Sequence, residues 1–304
     1  MVKITLDDDI ESWYINEIIG FFKRSRKLKY KVFAKIIKRE LDISLKKLLT
    51  KSPDELEKLA RRFLLSYPID YIEHKELFED MYGKFRDSIS GSAFIEKINL
   101  KVCPYCNRNY IFNFKKKTSV EATAQLDHFY DKSKYAYFAL CLYNLVPSCS
   151  TCNQRKSAAD AVKNPIFNPY ADNIHNHINF SALKIENRDE LLQKDSDFFS
   201  EERMTLSIEK DNSDRQVEEH LKVFNIEELY IHHKDIVSDL YKKRRVYSDK
   251  YINELLDQNR EIFKDRDELL QLVVCTYIKD DEMNKRPMSK LTKDIAIEVG
   301  FIKE

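Results

Sequence analysis

The chain has 304 residues, enough for about two domains with a sizeable buried core. Only 4 Gly and 7 Pro against 34% charged residues exclude a chain of many sharp turns and favour helices. The net charge of +1 conceals an asymmetry: residues 21–51 carry 12 Lys/Arg and 2 Asp/Glu, residues 96–170 carry 11 and 5, and residues 171–304 carry 22 and 30.

Basic and acidic blocks of this kind suit a protein that holds nucleic acid on one face and something else on another, although each is also what a solvated helix face looks like. The longest apolar stretches, such as Leu269–Ile278, are too short to cross a bilayer. The opening Met-Val-Lys runs into Asp7-Asp8-Asp9 and does not read as a signal peptide, so a cytoplasmic protein with no membrane association is expected.

Residues 1–95 read as a basic helical region, with contact to DNA or a partner as its candidate role. Segment 23–39 sets Phe33, Ile36 and Ile37 among its charges, which predicts an amphipathic helix with a positive outer face. Ser52-Pro53-Asp54-Glu55 predicts a helix start, with Ser52 as N-cap, Pro53 in the first turn and Glu55 closing a capping box; the helix should stop before Pro68.

Residues 96–170 change character, their apolar residues falling in short runs. Strands are expected at 109–114, 125–129 and 144–147, a helix at about 133–142, and another beginning near Cys152. Lys115-Lys116-Lys117 should tip a hairpin. Asn164-Pro165 and Asn168-Pro169 mark a boundary.

Residues 171–304 read as an acidic helical region suited to docking a partner. Apolar residues at 229, 236, 240, 247, 251 and 255 predict one long helix at near-heptad spacing, with Lys242-Lys243-Arg244-Arg245 on its solvated face. A short last helix from Thr292 to Val299 should end at Gly300. His232-His233 reads as surface. His175 and His177 alternate as strand-neighbour metal ligands would, but no carboxylate stands beside them in the sequence.

Six cysteines occur, four of them in the pairs Cys103/Cys106 and Cys149/Cys152. Two thiolates three positions apart can turn toward one tetrahedral metal, and with no secretory signal the four favour structural zinc over disulfides. Cys141 and Cys275 are assigned to the core.

The pairs enclose Asp127, His128 and Asn144, and Asn153 follows the last cysteine. An imidazole can take a proton from water near neutral pH, and a carboxylate and an amide carbonyl offer hard oxygen ligands for Mg²⁺ or Mn²⁺. Asn144 can orient the imidazole. Neighbouring strand residues point to opposite faces, so Asp127 and His128 could serve metal and water separately. Arg155 and Lys156 could clamp phosphate.

The runs Cys103-Pro-Tyr-Cys106, Leu126-Asp127-His128, Asn144-Leu145-Val146-Pro147 and Cys149-Ser-Thr-Cys152-Asn153-Gln-Arg-Lys156 resemble the HNH endonucleases with a zinc-stapled ββα-metal core. The resemblance covers about 55 residues and implies an α+β fold, mainly helical, with that core embedded at 96–170. It makes His128 the general base, Asn144 its support, Asp127 and Asn153 the ligands of a catalytic Mg²⁺ or Mn²⁺, and the four paired cysteines the ligands of zinc. Asn153 stands where a third His often stands in that family.

The opening Cys-Pro-Tyr-Cys-Asn-Arg, the Asp-His-Phe-Tyr segment and the helices on both sides also resemble the HNH subunits of anti-phage systems such as Septu and its retron-linked form. That resemblance implies a DNA-cleaving effector paired with an ABC-type ATPase. No Gly-rich phosphate loop of the Walker type occurs in this chain, so any ATP dependence would come from that partner. The competing readings are a zinc-knuckle nucleic-acid-binding or adaptor module without catalysis, and an HNH nuclease acting on RNA or tRNA.

Overall fold

The computed structural model describes residues 2–25, 29–66, 74–115, 120–157, 159–182, 199–211 and 213–303. The described chain is mainly helical, with small two-stranded antiparallel sheets. It divides into two compact units, Val2–Asn173 and Ile174–Glu304. The helices before residue 96 therefore share one unit with the cysteine-bearing segment, and the division falls just past the Pro-marked boundary.

In the first unit the helices are α1 (Ile10–Arg24), α2 (Tyr30–Leu41), α3 (Leu45–Leu49), α4 (Pro53–Ser66), α5 (Lys75–Arg86) and α6 (Ile89–Ile98). The helix expected over 23–39 is not continuous. Ser25 is extended and ends α1, residues 26–28 lie outside the described part, and α2 then buries Phe33, Ile36, Ile37 and Leu41 on one face. At α4 the capping box forms as expected: Glu55 N donates to Ser52 Oγ (3.3 Å) and Ser52 N to Glu55 Oε2 (3.1 Å). The α5–α6 corner requires glycine, because a Cβ at Gly91 would lie 2.6 Å from the carbonyl oxygens of Phe85 and Arg86.

Aromatic edges knit these helices to the segment that carries the site. Phe78 lies edge-on to both Phe33 (5.2 Å) and Tyr137 (5.1 Å), and Tyr14 does the same to Phe94 (5.4 Å). Buried phenols then satisfy buried carbonyls: Tyr14 donates to Leu140 O and Tyr82 to Leu126 O, both at 2.9 Å.

A short hairpin pairs β1 (Asn113–Lys115) with β2 (Val120–Ala122); its connection, including Lys116 and Lys117, lies outside the described residues. Only part of the strand expected at 109–114 forms, since Tyr110 makes an isolated bridge to Val102 and β1 begins at Asn113. The next pair is β3 (Gln125–His128) with β4 (Leu145–Ser148), in the register Asp127↔Val146 and His128↔Leu145. Helix α7 (Ser150–Lys156) follows β4 and packs on β3.

The helix expected over 133–142 is replaced by two single 3-10 turns, Ala136–Phe138 and Leu142–Asn144. The Asn144 side chain explains the break. Its Nδ2 donates to Phe138 O (3.1 Å), the carbonyl that a continuing α-helix would offer to residue 142.

The second unit pairs β5 (Ile178–Ser181) with β6 (Ser207–Lys210) and continues as α8 (Arg215–Phe224), α9 (Ile226–Tyr230), α10 (Lys234–Val246), α11 (Asp249–Gln258), α12 (Arg266–Val274) and α13 (Ser289–Glu298). The long helix expected from the heptad spacing is three helices. Ser248 caps α11 by accepting from Tyr251 N (3.2 Å), and of the heptad positions on α10 and α11 Leu240 alone is buried, beside Val237, Tyr241 and Ile252, which lie off that spacing. Within the basic run, Arg244 is tied down, donating to Tyr247 O (2.8 Å) and Val299 O (3.2 Å). The last helix forms as expected, and Gly300 past its end takes φ 86°. Cys275 is not in the core: it is exposed at the left-handed cap of α12 (φ 60°).

Candidate functional site

The first cysteine pair sits on a tight turn. Asn107 adopts φ 52° and its N–H donates to Cys103 O (2.8 Å), while Cys103 N donates to Asn109 O (2.9 Å). That turn brings Cys106 beside Cys103. The second pair is placed by α7, with Cys149 at its N-cap and Cys152 in its first turn. All four Sγ atoms lie within 4.8 Å of one another and all are buried, so the cluster could hold a metal such as zinc.

Tetrahedral zinc at about 2.3 Å from each sulfur spaces the sulfurs about 3.8 Å apart, and Cys106 and Cys149 stand at 3.9 Å. Amides support the sulfurs: Asn109 Nδ2 donates to Cys149 Sγ (3.3 Å) and Arg108 N to Cys106 Sγ (3.4 Å). Hydrogen bonds from Cys103 and the other two thiols, with a smaller one from Asn109, hold the Cys149 thiol far below its ordinary range. This favours a thiolate at Cys149, whereas burial pushes the Cys103 thiol up and hydrogen bonds to the other thiols push Cys152 up.

Beside the cluster, a cleft of about 1000 Å³ opens over β3 and the second half of α7. Asp127, His128 and Asn153 all line it, and Tyr82 and Arg86 of α5 form part of its wall. Three of the sequence-predicted candidates are thus brought together from a strand and a helix.

The two adjacent strand residues reach different partners. Asp127 accepts from Tyr105 OH (2.7 Å) and pairs with Lys156 Nζ (3.3 Å). His128 instead places Nε2 at 3.0 Å from Ala139 O, with its ring edge-on to Tyr82 at 4.2 Å. A carbonyl only accepts, so Nε2 carries the proton and the neutral ring keeps its lone pair on Nδ1. Burial pushes the His128 pKa down to about 3, helped by Lys132 and Lys156 and opposed by the Ala139 carbonyl and Asp131.

Asn144 is fully buried and does not touch the imidazole. Its Oδ1 accepts from Tyr130 N (2.6 Å), and its Nδ2 donates to Tyr130 O (3.2 Å) and Phe138 O (3.1 Å). It shapes the loop whose Ala139 carbonyl meets His128, so its support is indirect. Asn153 donates through Nδ2 to Gln125 Oε1 (2.7 Å), leaving its carbonyl oxygen as the remaining donor atom.

The two residues expected to clamp phosphate differ from that expectation. Arg155 is exposed but is not among the residues lining the cleft. Lys156 faces inward: its side chain is 0% exposed and its ammonium donates to His128 O (2.5 Å) and Asp127 Oδ1 (3.3 Å). It cannot reach a phosphate at the surface.

The structure also adds residues that were not foreseen. Tyr105 lies inside the first cysteine pair, so the turn that brings Cys103 and Cys106 together also delivers a hydrogen bond to Asp127. Lys132 lines the cleft with its Nζ 5.7 Å above the Tyr82 ring. Nothing in the sequence around it singled Lys132 out.

In the second unit His175 and His177 lie in a 3-10 turn, not on a strand, and each has a carboxylate that the sequence hid. His175 Nε2 is 3.0 Å from Asp280, and His177 Nδ1 is 3.9 Å from Asp214. His232 is exposed, as expected.

A stretch of 65 residues, 21% of the chain, is 35% identical to the Septu protein PtuB of Bacillus thuringiensis. The likeness spans only 25% of that protein's length. No family model and no solved structure matches the chain. Among the described residues no helix is long and apolar enough to cross a membrane.

Proposed function

We propose that this chain is a metal-dependent endonuclease of the HNH type that hydrolyses phosphodiester bonds of DNA, acting in an anti-phage defence system with an ABC-type ATPase as partner. The observation that carries the reading is the cleft in which Asp127 and His128 of β3 meet Asn153 of α7, directly beside four buried cysteines. The likeness to a Septu protein supports the defence setting.

In this reading His128 Nδ1 takes the proton from the attacking water. Burial keeps the ring neutral but weakens its pull on a proton, so the base depends on neighbours that favour the charged ring. As the proton arrives, the Ala139 carbonyl and the Asp131 carboxylate favour the imidazolium. Tyr105 and Lys156 fix the Asp127 carboxylate toward the cleft floor, and Gln125 fixes the Asn153 amide.

Asp127 and Asn153 offer hard oxygen donors lining one cleft, a set that fits Mg²⁺ or Mn²⁺. A divalent cation there would draw charge from the scissile phosphate and stabilise the leaving oxygen. Lys132, on the rim, replaces Lys156 as the candidate cation for substrate phosphate.

The test is incubation of purified protein with supercoiled plasmid and Mg²⁺, with and without the product of the neighbouring gene. Nicked or linear plasmid is expected, abolished by EDTA. His128→Ala should reduce the rate by about 10²–10⁴. Because His128 is buried against Tyr82, this variant should also lose stability, by about 1–3 kcal/mol. Intact plasmid in both incubations, or cleavage of RNA alone, would overturn the DNA reading.

A further inference from the structure

We infer that Lys156 is a positioning residue whose shut-in ammonium neutralises Asp127 and thereby sets a weak affinity of the free cleft for divalent cations. The inference rests on the nuclease reading of Asp127 and Asn153 and deepens the part that Lys156 plays beside them.

The geometry leaves the ammonium little freedom. Lys156 Nζ lies 3.3 Å from each oxygen of Asp127 and 2.5 Å from His128 O, with its side chain 0% exposed and that of Asp127 6% exposed. On the surface, a lysine facing an arriving cation would swing into water. Here the stem leaves α7 one turn after Cys152, whose position the cysteine cluster fixes, so the charge cannot retreat.

Tyr105 takes a further position on the same carboxylate, at 2.7 Å from Oδ2. A carboxylate has about four acceptor positions, so room for a cation remains on the cleft side. What is missing is charge. Asp127 and Lys156 cancel, while Asn153 and the neutral His128 ring add none. Hard cations are bound in proportion to the negative charge and rigidity of their oxygen cage, and like charges repel strongly where water is excluded. The buried lysine therefore holds Asp127 in place at the expense of its pull on Mg²⁺.

The experiment measures Mn²⁺ binding to the full chain by electron paramagnetic resonance of the free ion, alongside zinc content and the thermal midpoint. Lys156→Met should bind Mn²⁺ at least tenfold more tightly than wild type with zinc content unchanged, and Lys156→Arg, which keeps the charge, should stay near wild type. A purely structural lysine would not produce that split. Equal or weaker Mn²⁺ binding by Lys156→Met overturns the inference, as does micromolar binding by wild type.

If Lys156→Met does not fold alone, Mn²⁺ should restore its thermal midpoint far more than it raises that of wild type, and failure to do so also overturns it. Plasmid cleavage by wild type with no tightening in the variant sinks the role of Lys156 alone. Tightening without any cleavage sinks the nuclease reading alone.

Discussion

The β3–β4 and β5–β6 hairpins solve the same problem with opposite chemistry. Each has one strand whose outer edge would leave backbone groups unpaired inside the protein. On β3 the exposed groups are carbonyls: Leu126 O accepts from Tyr82 OH (2.9 Å) and His128 O from Lys156 Nζ (2.5 Å). On β5 and just past its end they are amides: Phe180 N donates to Asp294 (2.8 Å) and Ala182 N to Glu298 (3.0 Å), two carboxylates one turn apart on α13. Carbonyls call in donors and amides call in carboxylates.

Each hairpin consequently acquires a buried Lys–Asp pair, Lys156 with Asp127 in the first unit and Lys290 with Asp294 in the second. The two pairs differ in what else they meet. Asp127 lines a cleft beside a metal-ready cluster, whereas Lys290 is closed off by Asn179 Oδ1 at 3.2 Å. One pair borders an open cleft and the other holds a strand to a helix.

The largest test of the contrast is metal removal. Structural zinc contributes about 10 kcal/mol, comparable to the stability of a domain. A strong chelator, or Cys149→Ala, should therefore raise amide exchange across Val102–Lys156 by orders of magnitude. The β5–β6 hairpin, which has no ligand in the cluster, should keep its protection. Equal loss in both hairpins would break the comparison. Next in size is Lys290→Met, which strands a buried carboxylate. Removing one member of a buried pair costs about 3–5 kcal/mol, read as a drop in thermal midpoint with zinc content and plasmid cleavage unaffected.

The two hairpins were unequally legible in the sequence. Around the site the signals are local. Two Cys-x-x-Cys turns, the short apolar runs at Leu126 and Leu145-Val146, and the Asp127-His128 step all depend on neighbours a few residues away, and β3, β4 and α7 fell close to where they were expected. The burial of Lys156 depends on Asp127, 29 residues earlier, so its charge read as a surface contact. Spacing gave one clue, since Lys156 follows Cys152 by four and belongs on the same helical face.

In the second unit the apolar periodicity from 229 to 255 outweighed the cap signal Ser248-Asp249, and one helix was expected where the chain turns. The pairing of His175 with Asp280, 105 residues apart, had no sequence signal.

Stability against pH sharpens the second unit further, because two of its buried groups pull in opposite directions. Burial lowers His175 from 6.5 to about 4, so its contribution is complete above pH 6.5 and is lost as pH falls through that window. Burial raises Asp294 from 3.8 to about 6, so its contribution is complete below pH 3.8 and is lost as pH rises through 6. Each is worth about 3 kcal/mol across its window at 1.36 kcal/mol per pKa unit. In wild type they offset between about pH 6 and 4. His175→Gln should make the second unit more stable as pH drops over that range, and Asp294→Asn should make it less stable. Flat profiles in both variants would show that neither group is shifted as the packing implies.

The smallest effect concerns a single phenol on the first hairpin. Tyr82→Phe keeps the ring that lies edge-on to His128 at 4.2 Å and removes only the hydroxyl that caps Leu126 O. The carbonyl then stays buried, because Leu126 is itself 7% exposed. Leaving one buried acceptor unmet costs about 1–3 kcal/mol, enough to lower the midpoint of the first unit by a few degrees. The same loss on β5 cannot be produced by so mild a change, since its caps are carboxylates whose removal also disturbs charge. A midpoint unchanged in Tyr82→Phe would mean that water reaches the edge of β3, and that the carbonyl-capping half of the contrast between the hairpins does not contribute to stability.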